Sequence, residues 1–289
     1  KYSEFGPVLE LKNKAFALRH ATQNSFQEID GWFALNEAQS VQAFETPLSS
    51  RKIPSFNFVV MDASQNIGFF YNGRIPTREN PKAARKVVQG ISSSAIWPLN
   101  RPIEKLPTFI NPPNGWIQST NQNPYAVMGK YSMAQDPNNP NVYFEQRLTN
   151  RSFVANELLS TPVKITLDDF IDIKFDHSYS ENSRQFKYLM KLAENNPEIA
   201  EKVRPWDRQT NFKNKHAGYN SCLMAHEWLS EMNAQPIPKT EDVLSKCQNW
   251  FAEINREQTD EWEKITTITR LGRSYPIQGS VDTLRAVYG

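Results

Sequence analysis

The chain is poor in the residues that mark most kinds of site. Two cysteines, Cys222 and Cys247, occur among 289 residues, too few for a disulfide framework or a thiolate metal cluster. Spacing alone leaves them open, either as a pair formed in an oxidising compartment or as two buried free thiols. The four histidines, His20, His177, His216 and His226, include no pair four apart with an intervening Glu, which argues against a zinc site. The eleven glycines never fall in GxGxxG or GxxxxGK spacing, and no GxSxG elbow occurs. This argues against a dinucleotide or phosphate cradle and the common hydrolase nucleophile turn. Neither sign of charge dominates: 33 Lys+Arg against 31 Asp+Glu leave a formal +2, so no nucleic-acid partner held by a broad electrostatic footprint is expected. No stretch approaches the ~18 apolar residues of a membrane span. The start, Lys1 to Gly6, has neither a basic n-region nor an apolar h-region and does not begin with Met. The expectation from this start is a mature or excised segment, read without a signal peptide.

What is present is core-forming material: 39% hydrophobic and 12% aromatic residues, enough to bury a sizeable interior. The first part is rich in strands and turns. FGPVLELKNKAFALRHA reads as a hairpin about Lys12-Asn13-Lys14. FNFVVMDASQNIGFFYNGRIP is a stronger hairpin, two β-rich runs meeting at Asp62 to Asn66. Between them WFALNEAQSVQAF reads as one short helix, with Ala38, Val41 and Phe44 spaced three apart. From Asn80 to Asn114 the abundance of Pro, Ser and Asn predicts an irregular surface connection.

Helical patterns then follow: Phe153, Leu158 and Leu159; a start capped by Thr166; Phe186, Leu189, Met190 and Ala193; Cys222, Leu223, His226, Trp228 and Leu229; Val243, Leu244, Cys247, Phe251 and Ile254. The final TTITRLGRSYPIQ returns to strand and turn chemistry. The expected fold class is α+β, divided as a strand-rich core segment over residues 1–141, a helical region over 142–262 and a return to core strands over 263–289.

Two groups of polar residues invite a chemical reading. Trp206-Asp207-Arg208 has the composition of an acid–base site, but helix capping and surface charge pairing explain it better. LPTFINPPNGWIQSTNQNPY crowds Asn111, Asn114, Gln118, Asn121, Gln122 and Asn123 among prolines and aromatics. Turn formation accounts for Pro-Pro-Asn-Gly and does not readily account for three successive carboxamides. An Asn side-chain N–H can donate into an oxyanion hole, stabilising charge that develops only in the transition state.

Taken in order, FGPV, AFALR, GWFALNEAQS, IPSFNFVVMDASQNIGFFYNGRIPTR and NPPNGWIQSTNQNP resemble the β-subunit of penicillin-type acylases. The likeness is closer to the acyl-homoserine-lactone and aculeacin acylase branch. TNRSFVANELL, TLDDF, PWDRQTN and TITRLGRSYPIQGSVDTLRAV continue it more loosely. The resemblance implies a partial αββα N-terminal-nucleophile hydrolase core with a mainly helical insertion. It also implies hydrolysis of the amide bond of N-acyl compounds by a Ser whose own α-amino group is the base. By motif position the oxyanion carboxamide falls on Asn121 and a further catalytic-site residue on Arg151. The acyl pocket falls on Trp32 and Phe33, and on Ser55 and Phe56, where Ser55 replaces a bulky aromatic of a close relative. No cofactor is implied; calcium occurs in some relatives, but its ligands do not map onto this sequence. In that family the nucleophile lies well before the GPV segment, whereas here Phe5-Gly6-Pro7-Val8 stands at the start behind Lys1. The resemblance therefore implies that the nucleophile is upstream, that the partners are an α-subunit and that upstream segment, and that this polypeptide alone is inactive. It further implies a periplasmic or secreted location and an N-acyl small-molecule substrate. The reading from a different class is a non-catalytic acyl-binding module that kept the pocket without a nucleophile.

Overall fold

The computed structural model describes residues 1–23, 26–53, 55–76, 87–91, 96, 106–129, 144, 147–161 and 163–284. It mixes helix and sheet in two compact units, Lys1–Arg147 and Leu148–Gly289. The expected 141/142 boundary lies outside the described residues. So does most of the connection expected from Asn80.

In the first unit, β1 (Tyr2–Ser3), β2 (Gly6–Leu11) and β3 (Lys14–Ala17) form an antiparallel sheet. The β2–β3 hairpin turns where expected: Leu11 pairs with Lys14 across Lys12-Asn13, and Lys12 takes the left-handed conformation, φ 55°. The helix expected over Trp32–Phe44 is instead two, α1 (Glu28–Asn36) and α2 (Val41–Ser49). The break has a local cause. Ser40 is an extended N-cap whose hydroxyl accepts the Ala43 N–H at 3.0 Å, and the Asp62 carboxylate accepts the Val41 N–H at 3.0 Å. Orphan donors at a helix start are satisfied, so the chain gains by restarting there.

The second sheet has the order β4 (Ser55–Met61), β5 (Ile67–Gly73) and β6 (Thr108–Ile110), all antiparallel. The hairpin at Asp62 to Asn66 stands as expected, with Met61 opposite Ile67. Strand β6 corrects the expectation that residues 80–114 are irregular throughout. Asn111 fixes it, its Oδ1 accepting the Ile67 N–H at 2.9 Å and its Nδ2 donating to Asn66 Oδ1 at 2.8 Å. β5 is the central strand and is apolar on both faces, as burial on two sides requires. Phe70 packs with Leu35, Val41, Leu48 and Ile53 beneath the helices, and Phe69 packs on the other face with Val127 and Met128. Gly68 lies directly under α2; a Cβ there would come within 2.6 Å of Val41 Cγ1.

The second unit contains α3 (Asn150–Leu159), α4 (Leu167–Lys174), α5 (Arg184–Asn195), α6 (Pro197–Val203), α7 (Ala217–Met232), α8 (Thr240–Glu253), α9 (Trp262–Ile265) and the hairpin β7 (Thr267–Arg270) and β8 (Arg273–Pro276). Capping residues set the starts. Thr149, Ser183 and Asn196 each accept a backbone N–H three residues on, and Thr166 and Asp169 form a reciprocal capping box. The core joins Leu189, Ile199, Leu223, Met224, Val243 and Phe251. Cys222 on α7 and Cys247 on α8 form a disulfide with Cα atoms 5.9 Å apart, which settles the alternative that the sequence left open. Asp207 and Arg208 serve structure. The Asp207 carboxylate accepts the Gln209 N–H and the Asn214 Nδ2–H, and Arg208 pairs with Glu181 at 3.3 Å. No helix of the described residues is long and apolar enough to cross a membrane.

Candidate active-site cleft

The carboxamide-rich segment after β6 folds by bonding to itself. Gln122 is 4% exposed; its Oε1 accepts the Thr120 N–H at 2.6 Å and its Nε2 donates to the Gln118 carbonyl at 3.3 Å. Gln118 is also buried, its Nε2 donating to the Ala126 carbonyl at 3.3 Å. Asn123 Oδ1 accepts the Tyr125 N–H at 2.8 Å and starts the 3-10 turn Pro124–Ala126. These bonds turn the chain sharply between Gln118 and Asn123. Asn121 is the exposed corner, with φ 60°. Asn tolerates this left-handed conformation better than most residues. Three successive carboxamides thus have three roles: a corner, a buried clamp and a cap.

Asn121 lines a cleft of ≈ 370 Å³ with Ser55, Phe56, Asn57, Tyr71, Asn72 and Ser119. Strand pairing sets the opposite wall: Asn57 faces Tyr71, and Phe56 faces Asn72. Asn72 is 3% exposed, its Nδ2 donating to the Ile53 carbonyl at 3.0 Å and its Oδ1 accepting from Arg51 at 3.2 Å. Arg51 is partly buried, and burial lowers its pKa. Beside the cleft, Trp32 on α1 meets Phe56 and Phe58 edge-on, with ring centroids 5.3 and 5.7 Å apart. Such aromatic clusters form an apolar surface of defined shape. Trp32, Ser55, Phe56 and Asn121 are therefore brought together, three on the cleft wall and Trp32 against Phe56. Phe33 is 67% exposed and is not among the cleft residues.

Arg151 belongs to the other unit, in the first turn of α3. Its Nε donates to Asp282 Oδ1 at 3.1 Å, while Asp282 Oδ2 accepts the Asn150 N–H at 2.6 Å and Gln185 Nε2 at 3.2 Å. Sequence reasoning missed Asn57, Tyr71, Asn72 and Ser119. A signal existed for Asn57, two residues beyond Ser55 in a strand and so on the same face.

Among the described residues one group of three metal-donor side chains converges, Cys222, His226 and Cys247. Its two sulfurs are bonded to each other and offer no thiolate.

The fold resembles that of a thermostable penicillin G acylase from Alcaligenes faecalis, with a TM-score of 0.55 and 18% sequence identity. That match covers 80% of this chain and 42% of the acylase chain, so the chain spans less than half the length of that relative. The likeness is one of fold, mixing helix and sheet as expected from the sequence. The family model for penicillin amidase matches residues 1–283, and the chain belongs to that family.

Proposed function

We propose that this chain supplies the oxyanion-binding and acyl-binding part of an amide hydrolase acting on N-acyl compounds such as acyl-homoserine lactones or penicillin-like amides. One observation carries the reading: Asn121 stands at the left-handed corner of a cleft whose other wall includes Ser55 and Phe56. Family membership supports the reaction class. The nucleophile is an N-terminal Ser on the segment upstream of this chain. Its α-amino group takes the hydroxyl proton as the oxygen attacks the amide carbon. The carbonyl oxygen becomes an oxyanion, and the Asn121 Nδ2–H donates to it. Collapse expels the amine with the proton, leaving an acyl-enzyme that water cleaves by the same route. The acyl group lies against Phe56 and the Trp32 ring, where each buried CH₂ gains ~0.8 kcal/mol. This chemistry requires no cofactor. The Cys222–Cys247 disulfide supports an exported, oxidising location.

The test compares this 289-residue chain with the complete parent on long-chain acyl-homoserine lactones and phenylacetyl amides. Turnover is expected only from the parent after it has cleaved itself. Robust turnover by the chain alone overturns the assignment of the nucleophile to the upstream segment. A correctly matured parent inactive on every N-acyl substrate favours the binding-module reading.

A further inference from the structure

A second cleft, ≈ 340 Å³ in volume, opens within the helical unit between α7, α8, Trp262 and the turn at Ser280 and Val281. Its walls are mainly apolar, formed by Leu229, Trp250, Trp262, Val281 and Cys222. Leu229 is 46% exposed although its helical pattern assigned it to the core face, because it lines this open cleft. The Trp262 indole N–H is already engaged, donating to the Gly279 carbonyl at 3.0 Å.

The polar groups of the wall are few and uneven in charge. Lys246 is exposed and, among the described residues, forms no ion pair. Ser221 is 5% exposed, and its hydroxyl has no hydrogen-bond partner. His226 is held below its ordinary pKa by burial and secondarily by the Lys246 charge, and is neutral at pH 7. No Asp or Glu lines the cleft. An apolar slot with one unneutralised ammonium complements an anion with an apolar body and repels a cation. A single ammonium with no Arg beside it matches a monoanion better than the bidentate demands of a phosphate.

We infer that this cleft binds a small monocarboxylic acid with an apolar chain, seated between Leu229, Trp250 and Val281 with its carboxylate at Lys246. The site lies wholly within the second unit and does not depend on the catalytic reading of the first.

The experiment uses the full 289-residue chain, with octanoate as the probe and octylamine and octan-1-ol as controls. Binding is followed by calorimetry and by the indole N–H resonances of Trp250 and Trp262. Octanoate is expected to shift both resonances saturably, with octan-1-ol weaker and octylamine without effect. Lys246→Met should weaken octanoate about fivefold, or ~1 kcal/mol. Leu229→Glu, at a half-exposed position, should weaken it about tenfold or more by placing a carboxylate in the wall, with the thermal midpoint unchanged. Octylamine binding as tightly as octanoate overturns the proposal. So does Leu229→Glu binding octanoate normally, or the absence of a saturable shift up to about 10 mM.

Discussion

Replacing Asn121 in two ways separates its chemistry from its backbone. The residue sits at φ 60°, a conformation that costs an ordinary L-residue about 1–2 kcal/mol and glycine nothing. Asn121→Ala removes the side-chain donor and adds strain of about 1 kcal/mol relative to Asn. Asn121→Gly removes the same donor and adds none. In the complete parent both variants should lose turnover by roughly 10²–10³, the usual loss on removing one oxyanion donor. They should differ in stability: a ~1 kcal/mol strain lowers the thermal midpoint by about 2–4 °C at this size, for Ala alone. The assay compares turnover and melting of both variants, after mass spectrometry confirms that each precursor has cleaved itself. The reasoning fails if Asn121→Gly matures, melts normally and turns over at near the native rate. In that case the residue is only the corner of a turn.

Four further outcomes are expected. Gln122→Ala leaves the buried Thr120 N–H without its acceptor and should cost about 1–3 kcal/mol, read by chemical denaturation. Trp32→Ala should weaken long-chain substrates of the parent more than short ones; an equal loss across chain lengths marks Trp32 as a support for Phe56 and Phe58 alone. Replacing both Cys222 and Cys247 by Ser opens a link across a sequence separation of 25. Chain entropy then predicts a loss of about 3.5 kcal/mol, measured by denaturant melts of the variant against the oxidised native chain. The Asp62 carboxyl is held below the ordinary Asp value, chiefly by the Val41 N–H and then by the Asn66 side chain. Its stabilising contribution is therefore complete above about pH 4 and lost as pH falls through the depressed value. Acid melts of Asp62→Asn should lack that part of the pH dependence, and an unchanged acid limb would remove Asp62 as its source.

Legibility in the sequence followed the range of the forces involved. The hairpin at Asp62 to Asn66 was readable because alternation and turn residues are local signals. The break between α1 and α2 was only half readable: the Ser40 cap is local, but the acceptor that draws off the Val41 N–H is Asp62, twenty-one residues away. β6 escaped because it spans only Thr108–Ile110 within proline-rich text, and its anchor, Asn111, bonds to Asn66 across the sheet. Within the candidate site, Asn121, Trp32, Ser55 and Phe56 came from motif position in a family resemblance. The remainder of the cleft depends on cross-strand pairing that brings Tyr71 opposite Asn57, which alternation in one strand does not reveal. The cysteines could not be decided from spacing, since pairing needs α7 and α8 to lie side by side.

Asp62 and Gly68 together give the β4–β5 hairpin a way to detect misalignment. Asp62 Oδ2 holds the first N–H of α2 while Oδ1 holds the Ser64 and Asn66 N–H groups of the loop, and Gly68 leaves the space that the Val41 side chain fills. A one-residue slip of this hairpin would bring Ile67 or Phe69 under Val41 and pull the carboxylate off the helix start in the same step. In a ribbon whose backbone pairing tolerates a slip well, the wrong alignment is thus penalised twice at a single residue of a different element. A chain with the hairpin one residue out forfeits the helix-start bond and the Val41 packing together.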